Sequence, residues 1–315
     1  MAGLSVCVGL DAGKYESKLA YSDGLSTRVI AGLSGFDPNA LREEAEAFFD
    51  EPVFSCVVAN SGRTEDLRRR ALSCGFTEAE IIPAHEAVSL ALGQEGRALV
   101  WDLGESAGRM YVIDGGHLAE SVIVRDVCGE AFDSAFGEYL RNRYGLSETD
   151  TREARRIKHE LSGHNYCVWR ELRVYRDEFE RLIYFPLRRA VHVLNRLRRV
   201  HRPSRIIMTG GGSRIPIAVK IAGEVLGVSP EVQEDVIARG ASLRAREIQR
   251  TRGQVSGTNT TIRLKELRSG LIELEDRLTR RQKDRVYAMF RQAEGINDAG
   301  IISLMENLIR EIRNA

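Results

Sequence analysis

The chain has 315 residues, of which 43% are hydrophobic and 29% are charged, so it can form a substantial core and a well-solvated surface. Its 46 basic and 45 acidic residues give a formal net charge of +1, which argues against a strong overall attraction to nucleic acid or anionic membranes. Five widely spaced cysteines without a C-x-x-C pair argue against a disulfide framework. The N-terminus lacks the basic start of a signal peptide, and no window approaches the roughly 18 apolar residues of a membrane span. We therefore expect a cytoplasmic protein without membrane association.

Strand and helix patterns alternate from the N-terminus onward. The runs 5–10 (SVCVGL) and 17–22 (SKLAYS) predict two strands joined by a tight turn, in which Gly13 relaxes the backbone. The elements predicted next are a helix at 41–49, a buried strand at 55–60 (SCVVAN), a helix at 63–74, a strand at 81–82 and a helix at 86–92. This alternation predicts an α/β fold with a mostly buried sheet.

The strand–turn–strand opening recurs in the second part of the chain. The run 98–104 (ALVWDLG) is followed by 109–113 (RMYVI) and 121–125 (SVIVR), as 5–10 is followed by 17–22. We interpret this as an internal duplication that gives two lobes, each beginning with a hairpin whose turn carries Asp-x-Gly. The remaining predicted elements are helices at 130–143, 151–161 and 176–200, a strand at 205–208, a glycine turn at 210–212, and helices at 215–226 and 234–249.

The C-terminal part has a different pattern. Residues 251–261 (TRGQVSGTNTT) are polar and contain two glycines, which predicts a linker. Leucines at 264, 267, 271, 274 and 278 then follow 3-4-3-4 spacing, a two-heptad coiled-coil seam, and a final helix at 299–312 has one apolar face. These helices either fold back on the main domain or bind a partner, and we favour a protein partner or self-association.

Three glycine-containing turns follow predicted strands: 11–14 (DAGK), 102–105 (DLGE) and 210–214 (GGGSR). Glycine lets backbone N–H groups approach phosphates closely, and the carboxylates of Asp11 and Asp102 suit Mg²⁺, either directly or through its waters. One such turn alone is common in proteins, but three in order on a repeated topology predict a single phosphate-binding site between two lobes.

Seven segments extend this pattern. They are 8–21 (VGLDAGKYESKLAY), 81–93 (IIPAHEAVSLALG), 98–113 (ALVWDLGESAGRMYVI), 128–136 (CGEAFDSAF), 154–162 (ARRIKHELS), 206–220 (IIMTGGGSRIPIAVK) and 234–245 (EDVIARGASLRA). In this order they resemble the nucleotide-binding domain of the 70-kDa heat-shock (DnaK-like) chaperones, a branch of the actin/sugar-kinase/heat-shock ATPase superfamily. The first and third segments resemble that family's phosphate loops, the fifth its adenosine-contacting helix, the sixth its adenosine loop and the last its closing helix.

The resemblance implies a two-lobed actin-like ATPase fold, a duplicated ribonuclease-H-like α/β fold with a helical C-terminal extension. The nucleotide-binding domain would cover 1–250, with lobe I at about 1–95 plus the closing helix 234–249, lobe II at about 96–233, a linker at 251–261 and a helical tail at 262–315.

The implied cofactors are ATP or ADP with Mg²⁺. Asp11 and Asp102 would hold Mg²⁺ through water and, with Lys18, serve as candidate catalytic residues; actins carry a phosphate-contacting lysine at the position of Lys18. The implied nucleotide-binding residues are Gly13, Lys14, Tyr15, Gly104, Glu105, Ser106, Gly129, Glu130, Lys158, Ser162, Gly210, Gly211, Gly212 and Arg214.

The sequence also departs from this family. Lys14 and Tyr15 replace two threonines of the first phosphate loop, and Ala84 replaces an acidic residue at the start of the connecting helix. The second loop carries Glu105-Ser106-Ala107 in place of further glycines and a threonine, the lobe that supplies the chaperones' catalytic lysine is nearly absent, and no β-rich peptide-binding domain follows. We expect Lys14 or Lys18 to supply the missing cation, with weak or absent ATP hydrolysis.

Two residues keep alternative interpretations. Glu105 either repels the γ-phosphate or points outward into solvent, and Lys14 either contacts phosphate or is solvated. Function stays open in the same way, between a nucleotide-gated chaperone-like protein, an actin-like filament former, a small-molecule kinase, which we favour least, and a pseudo-ATPase scaffold that binds no nucleotide.

Three further patterns favour structural interpretations. The spacing of His159, His164 and Cys167 fits no standard zinc site. The basic run 187–205 contains an apolar stripe, which indicates a solvated helix face and no nucleic-acid partner. Trp101 and Trp169 lie in strand-like runs, as packing residues do.

Overall fold

A computed structural model of the chain describes residues 6–22, 26–50, 53, 55–60, 64–94, 96–144 and 151–251, with the single positions 267 and 283. The linker after residue 251 and, apart from Leu267, the predicted helices 262–278 and 299–312 lie outside the described residues, so those predictions stay untested. Within the described part of the chain, no helix has the length and apolar character needed to cross a membrane.

The first half of the chain forms a mixed five-stranded sheet with three helices. Its elements are β1 (Cys7–Asp11), β2 (Glu16–Ser22), β3 (Thr27–Ser34), α1 (Pro38–Phe49), β4 (Ser55–Asn60), α2 (Thr64–Ser73), β5 (Glu78–Pro83) and α3 (Ala84–Leu92). The strand order is β3-β2-β1-β4-β5. The first three strands are antiparallel neighbours, whereas β1, β4 and β5 run parallel.

The second half forms a sheet of the same design. Its elements are β6 (Arg97–Leu103), β7 (Gly108–Asp114), β8 (His117–Val124), α4 (Gly129–Tyr144), α5 (Thr151–Gly163), β9 (Tyr166–Trp169), β10 (Leu172–Tyr175), α6 (Arg176–His201), β11 (Arg205–Thr209), a 3₁₀ turn (Gly211–Arg214), α7 (Pro216–Leu226), β12 (Glu231–Val232) and α8 (Val236–Thr251). Read from β8, the strand order is β8-β7-β6-β11-β12, with the same parallel and antiparallel neighbours as the first sheet. The predicted α/β class and duplication are confirmed: the chain has two ribonuclease-H-like lobes, the arrangement found in actin-like folds.

Several strands were not predicted from the sequence patterns. β3 is an edge strand without a clear alternation of buried and exposed residues, so it gives no period-2 signal. The hairpin of β9 and β10 turns at Arg170 and Glu171, whose φ angles are 47° and 67°. Such turns favour Asn or Gly, and an Arg-Glu pair gives no turn signal in the sequence. In contrast, the apolar stripe predicted for 187–205 is confirmed, since α6 buries it in the second lobe, as are the packing roles of Trp101 and Trp169.

An apolar core between the lobes fixes their relative position. α8 packs on the first sheet, α3 packs on β7 and β8, and the two helices pack on each other. The packing is close: a Cβ on Gly240 of α8 would lie 1.7 Å from the carbonyl oxygen of Ala87 on α3, and one on Gly9 of β1 would lie 2.1 Å from the backbone nitrogen of Ser242 on α8. Val57, Val100, Ile207 and Ile237 are among the buried side chains of this interlobe core, which holds the ends of β1 and β6 near each other.

Candidate functional site

Two equivalent hairpins place an aspartate in the same position in each lobe. Asp11 ends β1 and lies opposite Lys18 on β2, while Asp102 lies near the end of β6, opposite Arg109 on β7. In both hairpins a glycine stands two positions after the aspartate and the basic residue stands seven positions after it. Successive side chains of a strand point to opposite faces, so Asp11 lies on the same face as Cys7, and Asp102 on the same face as Val100. Cys7 and Val100 belong to the interlobe core. The duplicated fold therefore brings two carboxylates together.

These hairpins border a cleft of about 490 Å³, a volume within the range of small-molecule sites. All but three of the predicted site residues line it; they are Asp11, Gly13, Lys14, Tyr15, Lys18, Asp102, Gly104, Glu105, Ser106, Gly129, Lys158, Gly210, Gly211 and Gly212. Of the other three, Glu130 pairs with Lys14, and Ser162 donates a hydrogen bond to the Lys158 carbonyl within α5. The third, Arg214, pairs with Glu16 and Glu234, which themselves line the cleft.

The third turn packs directly against the end of β6. Gly210 has a φ of 79°, and a Cβ there would lie 2.7 Å from Oδ1 of Asp102. A Cβ on Gly212 would lie 2.3 Å from Cγ of Leu103. Glycine at these two positions therefore lets the backbone pass beside Asp102 and Leu103.

The two aspartates lie in an environment that disfavours their charged forms. Burial, together with the nearby charges of Asp102 and Glu16, raises the pKa of Asp11 to about 7, against the opposing effect of Lys18. Burial likewise outweighs the opposing charge of Arg109 and raises the pKa of Asp102 to about 6. Two converging carboxylates with raised pKa values create a negative potential that a cation would relieve.

This carboxylate pair fits a magnesium ion that is completed by other ligands. Among the described residues, no group of three or more His, Cys, Asp or Glu side chains could form a metal site by itself. Mg²⁺ is commonly held by one or two carboxylates together with water and phosphate oxygens. Asp11 and Asp102 could therefore hold the ion only together with a ligand and its waters.

The turn between β1 and β2 crosses to the second lobe. Lys14 forms an ion pair with Glu130 on α4. The ring of Tyr15 stacks on His159 of α5, with 4.8 Å between centroids and 17° between planes, and the Arg155 guanidinium lies 5.0 Å from the Tyr15 centroid. These contacts, together with that of Glu16, form what we call the first-turn clasp, defined by residues 14–16.

Glu16 contributes an ion pair with Arg214 to the first-turn clasp. Its carboxylate accepts from Arg214 at 2.8 Å, and Arg214 also reaches Glu234 at 2.6 Å. Burial acts to raise the pKa of Glu16, but the Arg214 hydrogen bond and the charge of Lys18 outweigh it and hold that pKa below its usual value. Lys18 itself donates to the carbonyl oxygen of Glu234 at 2.8 Å.

The turn between β6 and β7 instead binds within its own lobe. The backbone N–H of Gly129 donates to the Gly104 carbonyl at 3.0 Å, and that of Glu130 donates to the Glu105 carbonyl at 2.8 Å. The Glu105 carboxylate pairs with Arg155 and lies over Gly129, where a Cβ would approach its Oε2 to 2.1 Å. Only 11% of the Glu105 side chain is exposed, and burial raises its pKa despite Lys158 and Arg155. Glu105 is therefore not a solvated turn residue.

No protein-family model matches the chain, and no curated protein sequence matches it significantly. The likeness to actin-like folds is therefore one of duplicated topology.

Arg109, Arg155 and His159 are among the residues at the cleft that the sequence patterns did not place there; His159 was considered only for a zinc site. Arg109 could have been found from the duplication, since it follows Asp102 by the interval at which Lys18 follows Asp11. Arg155 lies one helical turn before Lys158 on α5, and its Nε donates to Asp133 at 2.8 Å. His159 has a pKa lowered by burial and by the charge of Lys158, so it stacks on Tyr15 as a neutral ring near pH 7.

Proposed function

We propose that this chain binds an adenine nucleotide, ATP or ADP, between its lobes, with Mg²⁺ held through water by Asp11 and Asp102. The observation that supports this most directly is the convergence of three separated turns on one cleft. Two of them come from equivalent hairpins, and the third passes beside Asp102. Backbone N–H groups of glycine turns and a nearby carboxylate pair suit a phosphate chain with its magnesium.

Within this proposal, the glycine turns and Lys18 would contact the phosphates, with Lys14 joining them if it leaves Glu130. The adenosine end would lie toward Lys158 and Arg214, as the resemblance to the chaperones implies. Arg214 is engaged by Glu16 and Glu234, so nucleotide binding would exchange those ion pairs for contacts with the base or ribose. Because the ligand would touch both lobes, its occupancy would shift the balance between open and closed cleft.

Hydrolysis is proposed to be weak or absent. The Glu105 carboxylate lies in the turn where a γ-phosphate would need donors, and Arg155 holds it there. A like charge at this position disfavours a triphosphate more than a diphosphate. We therefore propose a chaperone-like protein whose nucleotide state, rather than turnover, controls lobe closure. A protein partner bound through 262–278 and 299–312 stays part of the proposal.

A pseudo-ATPase scaffold is the second candidate, and one observation favours it. Several cations that border the cleft are engaged by acids of the chain itself: Lys14 by Glu130, Lys158 by Asp133, and Arg214 by Glu16 and Glu234. A chain that neutralises its own cleft in this way could keep the lobes together without a ligand.

A thermal-shift titration with Mg-ATP and Mg-ADP separates the two candidates. We expect a saturable rise in unfolding temperature, at least as large for ADP as for ATP, equivalent to about 2.7 kcal/mol at a ligand concentration of 100 Kd. Asp11→Asn should abolish the rise in unfolding temperature. Asp114→Asn should keep it, because Asp114 lies at the end of β7 away from the cleft. Unchanged unfolding temperatures with both nucleotides would favour the scaffold.

A further inference from the structure

The β9–β10 hairpin of the second lobe has one buried face and one exposed face. The buried face packs into the core of that lobe through three side chains, those of Cys167, Trp169 and Val174. On the other face the side chains of Tyr166, Val168 and Tyr175 are exposed to 48%, 59% and 45%. Neighbouring exposed side chains of this kind commonly mark protein-interaction sites, because a partner removes their apolar surface from water. We call positions 166, 168, 173 and 175 the hairpin face.

The hydrogen-bond register of the hairpin determines which backbone groups of β9 point outward. The backbone N–H of Arg176 donates to the Asn165 carbonyl at 2.9 Å, in register with the strand pairing of the hairpin. Hydrogen-bonded positions alternate along an antiparallel ladder, so Tyr166 and Val168 lie between them. The N–H and C=O groups of these two residues therefore point away from β10.

The outer edge of β10 is engaged, whereas that of β9 is open. On β10 the Arg173 carbonyl accepts from the Tyr144 hydroxyl at 3.2 Å, and the Tyr175 N–H donates to the Glu178 carboxylate at 2.8 Å. In the part of the chain that the structure describes, no hydrogen bond reaches the outward backbone groups of β9, which pairs with β10 alone. An open edge of this kind can accept an additional strand.

Arg173 places a positive charge beside this open edge. Its guanidinium lies 5.4 Å from the centroid of the Tyr166 ring, so the side chain reaches from β10 over β9. Among the described residues, no carboxylate forms an ion pair with Arg173, whereas the nearby Arg170 pairs with Glu153 at 3.2 Å. A segment that pairs with β9 can bring a carboxylate to this guanidinium, because cross-strand and diagonal neighbours on one face lie within reach of long side chains.

We propose that β9 binds an extended, acidic segment of a partner protein, which adds to the hairpin as a third strand. The outward N–H and C=O groups of Tyr166 and Val168 supply its backbone hydrogen bonds, and the hairpin face selects its side chains. Apolar side chains of the segment pack on Tyr166 and Val168, and an Asp or Glu pairs with Arg173. These three residues do not line the cleft, so the inference does not depend on the proposed nucleotide function.

Selection of displayed random decapeptides against the full chain tests this proposal. We expect the enriched peptides to alternate apolar residues with others and to carry Asp or Glu, and a synthetic peptide of the leading sequence is then the probe for calorimetric titration. Val168→Glu should raise its dissociation constant by about tenfold or more, because a carboxylate then meets apolar side chains and an acid. Arg173→Glu should do the same, and a peptide with Lys in place of its acid should recover binding to that variant.

Val228→Glu is the matched control, since Val228 is also exposed but lies between α7 and β12, outside the hairpin. Thermal unfolding of each variant establishes that it folds. The proposal is overturned if no peptide is enriched, if the enriched peptides lack an acid, or if the probe binds Val168→Glu as tightly as it binds Val228→Glu.

Hydrogen exchange at the Tyr166 and Val168 amides distinguishes the possible occupants of β9. We expect fast exchange in the free chain and slow exchange once the probe peptide is bound. Slow exchange in the free chain at every protein concentration would mean that another segment of the same chain covers β9. Slow exchange only at high concentration would mean that a second copy does, and either result overturns the assignment to a partner protein.

Discussion

The two aspartate-bearing hairpins share their topology, yet their turns make opposite kinds of contact. The turn after β1 sends Lys14, Tyr15 and Glu16 across the cleft to the second lobe. The turn after β6 is bound by backbone hydrogen bonds and by the Glu105–Arg155 pair inside its own lobe. A duplicated fold therefore need not duplicate function: one turn is placed to link the lobes, and the other forms a fixed wall of the cleft.

Both turns depend on the interlobe core, and disrupting it should have the largest effect. Gly240→Ala places a Cβ 1.7 Å from the Ala87 carbonyl oxygen, so α3 and α8 must separate. We expect a loss of about 3 kcal/mol in the free energy of unfolding, measured by urea denaturation. Alanine favours helix over glycine, so helix propensity cannot explain a loss at this position.

The same substitution at Gly163, at the end of α5, is the control for the core. A Cβ there meets nothing within 4 Å, and we expect a change of less than about 1 kcal/mol, toward greater stability. Equal effects at Gly163 and Gly240 would show that the close helix crossing does not determine how the lobes are joined.

A second prediction concerns the aspartates that the two hairpins share. The pKa of Asp102 is raised from its usual 3.8 to about 6, so the folded chain binds this proton more tightly than the unfolded chain does. The stabilising contribution is complete below pH 4 and is lost as pH rises through 6. Asp102→Asn, which resembles the protonated acid, should therefore stabilise the ligand-free chain at pH 8 by about 3 kcal/mol and flatten its pH dependence.

The same variant should lose the stabilisation by Mg-nucleotide, so that stability and binding change in opposite directions. Thermal unfolding between pH 4 and pH 8, with and without Mg-ADP, measures both. Asp126→Asn removes the carboxylate of an exposed ion pair with Arg189 and serves as the comparison. A destabilised Asp102→Asn at pH 8 would contradict the assignment of Asp102 as a buried, electrostatically unfavourable carboxylate.

How much the sequence revealed differs between backbone and side chains. Strand 55–60 and the three turns were predictable, because a buried β-branched run and glycine-containing turns after predicted strands are local signals. The partners of Tyr15 and Glu105 were not, because Arg155 and His159 reach them only through the packing of α5 against the cleft. Local patterns define where a chain turns, whereas tertiary contacts define which way a turn's side chains point.

The smallest expected effect tests the first-turn clasp itself. Tyr15→Ala removes a ring that stacks on His159 and contacts the Arg155 guanidinium. We expect these contacts to stabilise the association of the lobes by about 1 kcal/mol. Arg155 keeps Asp133 and Glu105, so the second turn should stay in place. The ligand-free lobes should then separate more often, which small-angle X-ray scattering would detect as a larger radius of gyration.

Tyr166 provides a control that distinguishes an effect on lobe closure from the loss of an aromatic contact alone. Tyr166 also lies near an aromatic ring, Tyr175 at 6.2 Å, and near a guanidinium, Arg173 at 5.4 Å, but all three belong to the β9–β10 hairpin of the second lobe. Tyr166→Ala should leave the radius of gyration unchanged. If Tyr15→Ala leaves it unchanged too, the interlobe core alone keeps the cleft closed, because α3 and α8 would then suffice without any contact from the first turn. If only Tyr15→Ala enlarges it, the first turn links the lobes in solution, and a ligand at Gly13 and Lys14 would act on closure through that link.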